Sequence, residues 1–192
     1  MIRTLIFDWD GTLHDTKSLY GKAFRKAYSY LVEKNLAPER FYSDEETSIY
    51  LGMSAPAMWE SFMPELSSEE KRKAGSIIGG EMDRLVLAGQ AVLYPDAENV
   101  LTRLKQAGYH MVILSNCRHA YMENHRQMFR LDRWFEAYYA AEDFEFRPKE
   151  EIFPEIQKQF PGEYVVIGDR DSDLQTAKVH HLLSVGCLYG FG

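Results

Sequence analysis

The chain has 192 residues, 45% of them hydrophobic and 27% charged, enough to bury a core within one domain or within a core domain carrying a substantial insertion. A formal net charge of −7, with acids and bases interspersed, leaves no basic stripe to track a nucleic-acid backbone, so no nucleic-acid partner is expected. The two cysteines, Cys117 and Cys187, lack metal-ligand spacing and suggest neither a zinc site nor a disulfide framework; no apolar segment near the N-terminus is long enough to target or span a membrane, and a cytoplasmic protein is expected.

The first element is the apolar run Ile2–Phe7, which reads as a buried β-strand and ends on Asp8-Trp9-Asp10-Gly11-Thr12. Helical spacing follows, with Tyr20, Phe24, Ala27, Tyr28 and Leu31 on one face of a helix beginning near Thr16. Ser43 with Glu46, and Ser67 with Glu70, match the capping box and predict two further helix starts. Pro56 suits the first turn of a helix through Phe62, and Pro64 closes it. Residues 14–93 therefore read as an all-helical block.

From Tyr94-Pro95-Asp96 onward strand and helix alternate. A helix runs through Lys105 and ends at Gly108, and a strand covers 109–114. Residues 119–129 are helical in pattern and 136–140 form a short strand. A helix over 151–160 is stopped by Pro161-Gly162, a strand covers 164–167, a helix 172–180 and a last apolar run 182–185. Such alternation predicts an α/β core with a parallel sheet, whose ligands bind outside the carboxyl ends of the strands. Asp8, Ser115 and Asp169 all fall there. The catalytic core is thus expected over 1–13 and 94–192, with the helical block inserted between.

Two carboxylates at one strand end, Asp8 and Asp10, suit attack on phosphorus by the first and protonation of a leaving oxygen by the second. Gly11 permits a sharp turn that brings backbone amides towards a bound anion, so Trp9, Gly11 and Thr12 are counted among the phosphate-binding positions. After the middle strand, the Ser115 hydroxyl and neighbouring amides, including that of Asn116, can donate to phosphate oxygens. Asp169 and Asp173 follow the fourth strand, and so many gathered acids require a hard divalent cation, for which magnesium fits an acid-rich site without His or Cys. Asp171 reads as a helix cap. His14, His180 and His181 read as surface or packing residues.

With Asp8-Trp-Asp-Gly-Thr-Leu13, Leu114-Ser-Asn116 and Gly168-Asp-x-x-x-Asp173 in this order, the chain resembles the haloacid dehalogenase-like hydrolase superfamily. Its helical insertion after the first motif, and Tyr94-Pro-Asp-Ala with a following helix, are similar to the phosphoglycolate phosphatase-like branch. The resemblance implies a Rossmann-like core with a helical cap and a magnesium-dependent phosphatase acting on a small phosphorylated metabolite. It further implies that Asp8 forms an aspartyl-phosphate and that Asp10 acts as acid and then base. Magnesium would be bound by Asp8, the Asp10 carbonyl and Asp169, with Asp173 also counted among the metal-binding residues, and Ser115 and the Asn116 amide would hold the phosphate. Where the family carries a lysine before proline, this chain has Arg147-Pro148-Lys149; the register assigns the active-site cation to Arg147, with Lys149 as its rival. Substrate choice is expected in the cap, from the turn at 51–54 and from Lys22, Arg25 and Lys26, while Arg118 is a candidate contact to the leaving group. A phosphomutase, or a phospho-acceptor or binding protein on the same fold, are the alternatives. The oligomeric state is left open.

Overall fold

The computed structural model describes residues 2–53 and 55–192. Two compact units are present: one comprises the chain up to Asp15 together with Ala91–Gly192, the other Thr16–Gln90. The junctions lie two and three residues inside the expected ones. His14 belongs to the first unit because its backbone bridges to Asp10 and Leu93, while the Tyr94 amide donates to the Leu13 carbonyl (2.9 Å).

In the first unit the described strands are β1 (Ile2–Phe7), β2 (His110–Ser115), β3 (Ala137–Ala140), β4 (Glu163–Gly168) and β5 (Leu183–Gly186), all parallel, in the order β3-β2-β1-β4-β5. Its helices are α5 (Ala97–Gln106), α6 (His119–Phe129), α7 (Lys149–Gln159) and α8 (Asp171–Val179). Alternate strand residues Ile6, Val112, Leu114 and Val166 cluster with Ile152, Phe153 and Ile156 of α7 and Ala177 of α8. Leu5, Phe7, Met111 and Ile113, which point the other way, are also buried. Burying both faces of the central strands is what requires apolar runs rather than alternation. The outermost strand differs: Leu183 and Val185 of β5 are exposed.

Register sets the site. Phe7 lies level with Ile113 of β2 and Ile167 of β4, and the Asp8 amide donates to the Ile167 carbonyl (2.8 Å). Asp8, Leu114-Ser115 and Gly168-Asp169 therefore leave the sheet at one level, around the point where the strand order reverses.

Helix α7 begins two residues before its expected start. Extended Pro148 supplies the carbonyl that accepts from the amides of Glu151 (2.9 Å) and Ile152 (3.2 Å), so Lys149 is already helical. Lys149, Ile152, Phe153 and Ile156 then share the buried face at i, i+3, i+4 and i+7. Pro154 removes the amide that would bond to the Glu150 carbonyl, and His180 Nε2 donates to that carbonyl instead (2.7 Å).

The second unit holds α1 (Lys17–Glu33), α2 (Asp44–Ser48), α3 (Ala55–Phe62) and α4 (Ser68–Leu87) around Phe24, Tyr28, Tyr42 and Phe62. The Ser43 box is reciprocal, as expected. The Ser67 hydroxyl accepts from the Glu70 amide (3.2 Å), but the Glu70 carboxylate accepts from the Tyr30 hydroxyl (2.7 Å). The cap cations expected to meet substrate are engaged inside this unit: Lys22 donates to Gln90 (3.0 Å), Arg25 to Asp44 (2.7 Å) and Lys26 to Glu81 (2.5 Å). Ser54 of the expected 51–54 turn lies outside the described residues. No described helix is long and apolar enough to cross a membrane.

Candidate active site

At the end of β1 the Asp8 carboxylate is buried and meets the ammonium of Lys149, whose Nζ donates to Asp8 Oδ1 and to Asp173 Oδ1, each at 2.6 Å. Lys149 is only 2% exposed. The second Asp173 oxygen accepts from the Arg170 amide at the start of α8 (3.0 Å), so this acid both caps a helix and holds the lysine. Gly168 permits the approach, since a Cβ there would lie 2.2 Å from the Asp173 carboxylate.

Asp169 is held from two directions: Thr12 Oγ1 donates to Oδ1 (3.0 Å) and the Phe191 amide to Oδ2 (2.7 Å). Tyr189 ties the same turn down by donating to the Thr12 carbonyl (2.8 Å). Gly11 has φ +87°, and a Cβ on it would sit 2.3 Å from Asp169 Oδ2, so both backbone conformation and space demand glycine.

Asp8, Asp169 and Asp173 each place an oxygen within 4.8 Å of the others. Three carboxylates against one ammonium leave a formal charge of −2 in a buried pocket (−3 + 1). Burial pushes Asp8 up to about 7; Lys149 opposes that rise, and the neighbouring charges of Asp173 and Asp10 add to it. Burial likewise raises Asp169, against the stabilising Phe191 amide and Thr12 hydroxyl. For Lys149, burial disfavours the charge, but Asp8 and Asp173 outweigh it and hold the group protonated. An all-oxygen donor set with excess negative charge fits a hard divalent metal.

Asp10 stands on the other side of the turn. Its Oδ1 accepts from His14 Nδ1 (2.8 Å) and from the Tyr121 hydroxyl of α6 (2.9 Å). Behind these donors lie the fully buried Trp9 and His125, with Trp9 stacked on His14. Burial, and then the nearby His14, lower His125 to about 4, so its ring is neutral. Ser115 is buried at the end of β2, Asn116 beside it is exposed, and Asn116 and Lys149 line a cleft of about 580 Å³.

Two expectations need correction. Arg147 does not reach the acids: it is exposed and donates to the Phe144 carbonyl (3.2 Å), because it precedes Pro148 and lies outside the buried stripe of α7 that Lys149 begins. Trp9 cannot bring its side chain to a phosphate, because the indole is core; only its backbone is in the turn. His14, expected at the surface or in packing, is fully buried with Nδ1 on Asp10, and Tyr121 joins it from outside every sequence motif. The spacing Lys149, Ile152, Phe153, Ile156 was a usable signal for the lysine, whereas nothing local marks Tyr121, 111 residues from Asp10.

With this geometry in place, comparison with known proteins is decisive at the level of family: residues 2–181 match the model of the haloacid dehalogenase-like hydrolases. The chain belongs to that family. It is 24% identical over 197 residues to a phosphoglycolate phosphatase of Aquifex aeolicus, covering 99% of this chain and 86% of that protein. It is 27% identical over 189 residues to PpaX of Caldanaerobacter subterraneus subsp. tengcongensis, provisionally named a pyrophosphatase, covering 96% of this chain and 80% of the relative. A haloacid dehalogenase-like family hydrolase of Streptococcus pneumoniae superposes with a TM-score of 0.81 at 18% identity, over 100% of this chain and 87% of that one. The Rossmann-like core and the phosphoglycolate phosphatase-like branch expected from the motifs are thus borne out, and the enzyme is a hydrolase whose sequence relatives are named as a phosphoglycolate phosphatase and, provisionally, a pyrophosphatase.

Proposed function

We propose that this hydrolase is a magnesium-dependent phosphatase that cleaves a small phosphomonoester through an aspartyl-phosphate on Asp8. The observation that carries the reading is the buried set Asp8, Lys149, Asp173 and Asp169, with Asp10 two residues beyond the nucleophile. An Asp8 oxygen attacks phosphorus, the bond to the leaving oxygen breaks with its electron pair on that oxygen, and Asp10 donates a proton to release the alcohol. Water then attacks the phosphorus, Asp10 takes the proton, and the bond to Asp8 breaks to return the carboxylate and free phosphate.

Magnesium, held by Asp8, Asp169 and the Asp10 backbone carbonyl, would supply charge neutralisation and Lewis acidity at the transferring phosphoryl group. Lys149 contributes a fixed positive charge against Asp8 in the same step. Ser115 and the amide of Asn116 serve the phosphoryl oxygens, together with the backbone of the Trp9, Gly11 and Thr12 turn. Asp173 has one oxygen on Lys149 and the other on Arg170, so we assign it to positioning the lysine and completing the charge of the metal site. The cap, 16–90, would select the substrate, a small phosphorylated metabolite in the cytoplasm rather than a nucleic acid.

A panel of phosphoglycolate, sugar phosphates, nucleotides and pyrophosphate, run with magnesium and with EDTA, tests the reading. Metal-dependent release of phosphate from at least one ester is expected. Turnover in EDTA, or none across the panel, would refute it, and transfer of the phosphate to a second hydroxyl of the substrate instead of water would make the enzyme a mutase.

A further inference from the structure

A proton shuttle that serves both half-reactions must present one oxygen to the reacting centre each time. In this chain two side chains converge on a single carboxylate oxygen of Asp10. His14 Nδ1 and the Tyr121 hydroxyl both lie within hydrogen-bond distance of Asp10 Oδ1, at 2.8 and 2.9 Å, while they stand 3.5 Å from each other. Facing a carboxylate, the imidazole must donate, which fixes its tautomer with the proton on Nδ1, and the phenol must donate too. Two donors occupy the two lone pairs of Oδ1.

Both donors are themselves clamped. Tyr121 is 4% exposed and His14 fully buried. His125 Nδ1 donates to the Tyr121 carbonyl (2.9 Å), and its ring packs at 4.2 Å from Tyr121 and 4.6 Å from His14 between ring centroids. Trp9 lies nearly parallel to His14, with an interplanar angle of 18°. The His14 backbone is tied to the same turn, its amide donating to the Trp9 carbonyl (3.0 Å) and its carbonyl accepting from Gly11 (2.9 Å). A side chain whose only duty was packing would not need a polar tip aimed at a carboxylate, and a carboxylate whose only duty was solubility would not need two buried donors.

We propose that His14 and Tyr121 are positioning residues that pin Asp10 through Oδ1, so that its transferable proton is carried on Oδ2 and aimed at the leaving oxygen. The proposal rests on the reading of Asp10 as general acid and base, and it adds that the aim is set by α6, an element that carries none of the sequence motifs. Trp9 and His125 act one step further back, by locking the two donors in their rotamers.

Leaving-group dependence separates this role from a merely structural one. An alkyl ester needs a proton on its leaving oxygen, whereas p-nitrophenolate departs without one. The test compares Tyr121→Phe, which deletes one oxygen atom, His14→Leu, the double variant and Asp10→Asn. Substrates are the best-hydrolysed alkyl phosphomonoester of the panel and p-nitrophenyl phosphate, with magnesium. For the double variant kcat/KM on the alkyl ester is expected to fall about 10- to 100-fold, part of the effect of a general acid, while kcat/KM on p-nitrophenyl phosphate stays within about 3-fold. Because water attack on the phosphoenzyme also needs Asp10, a burst of one p-nitrophenolate per enzyme should precede slow turnover. Tyr121→Phe alone should show the same selectivity at smaller size, since His14 remains, and it guards against a folding defect in the histidine variant. Equal losses on both substrates, or unchanged alkyl turnover in the double variant while Asp10→Asn is impaired, overturn the positioning role and leave the acid–base reading standing. Unchanged alkyl turnover in Asp10→Asn overturns both.

Discussion

Replacing Lys149 by Met keeps most of the stem of the side chain and removes the only ammonium in contact with Asp8 and Asp173 among the described residues. Their oxygens lie within 4.8 Å, and at an effective dielectric constant of about 20 two unit charges at that distance repel by about 3 kcal/mol. Stripping one partner from a buried ion pair typically costs about 3–5 kcal/mol, a large share of the ordinary 5–15 kcal/mol of domain stability. In EDTA, Lys149→Met should therefore melt well below the wild type, and magnesium should raise its melting temperature more than it raises that of the wild type, because the cation replaces part of the missing charge. At the transition state, loss of a preorganised charge of this kind corresponds to about 10²- to 10³-fold in kcat. Arg147→Ala is the control: an exposed guanidinium bonded to one carbonyl should cost no more than about 0.5 kcal/mol, and activity should stay within about 2-fold. Thermal melts with and without magnesium, and steady-state kinetics on the best ester, measure both. Full activity in Lys149→Met, or an equal loss in Arg147→Ala, would refute the assignment of the cation.

Asp8→Asn should abolish turnover while leaving the fold intact, and acid-quenched enzyme should carry no phosphate; a phosphoenzyme that still formed would mean another nucleophile. Gly11→Ala forces a side chain into φ +87° and onto Asp169 Oδ2, so it should cost about 1–3 kcal/mol and raise the magnesium concentration needed for half-maximal activity, with unchanged metal dependence counting against Asp169 as a ligand. His125 gives a pH dependence: held near 4 in the folded protein against 6.5 ordinarily, it stays neutral when folded while the unfolded chain takes up a proton. Stability from this group is complete above about pH 6.5 and is lost as pH falls towards 4, by about 3 kcal/mol in all. Urea denaturation from pH 7 to 4 should show that loss, and His125→Phe should remove it; an equal slope in the variant would assign the acid sensitivity elsewhere.

Reading from the residues succeeded where the determinants are local. The Ser43–Glu46 box closes on itself within four residues, and the strand before Asp8 is apolar because both faces of β1 are covered. It fell short where a partner arrives from far away. Glu70 was expected to return to Ser67, but the Tyr30 hydroxyl, 40 residues off, takes its carboxylate. Motif register points to Arg147, whereas the helical stripe starting at Lys149 places that residue on the buried face of α7. His14 sits in an irregular turn with no periodicity to say which way it faces, and its partner Tyr121 comes from another element altogether.

What the amino-acid order determined by itself was the set of elements and the presence of acids at the ends of strands, since hydrophobic period and turn chemistry act over a few residues. Which of those groups meet was decided by the parallel register, which sets Phe7 level with Ile113 and Ile167 and so brings Asp8, Ser115 and Asp169 to neighbouring strand ends, and by the start of α7, which buries Lys149 rather than Arg147. A buried charge is tolerated only where an opposite charge already stands, and that condition exists only once β1, β4, α7 and α8 have packed together.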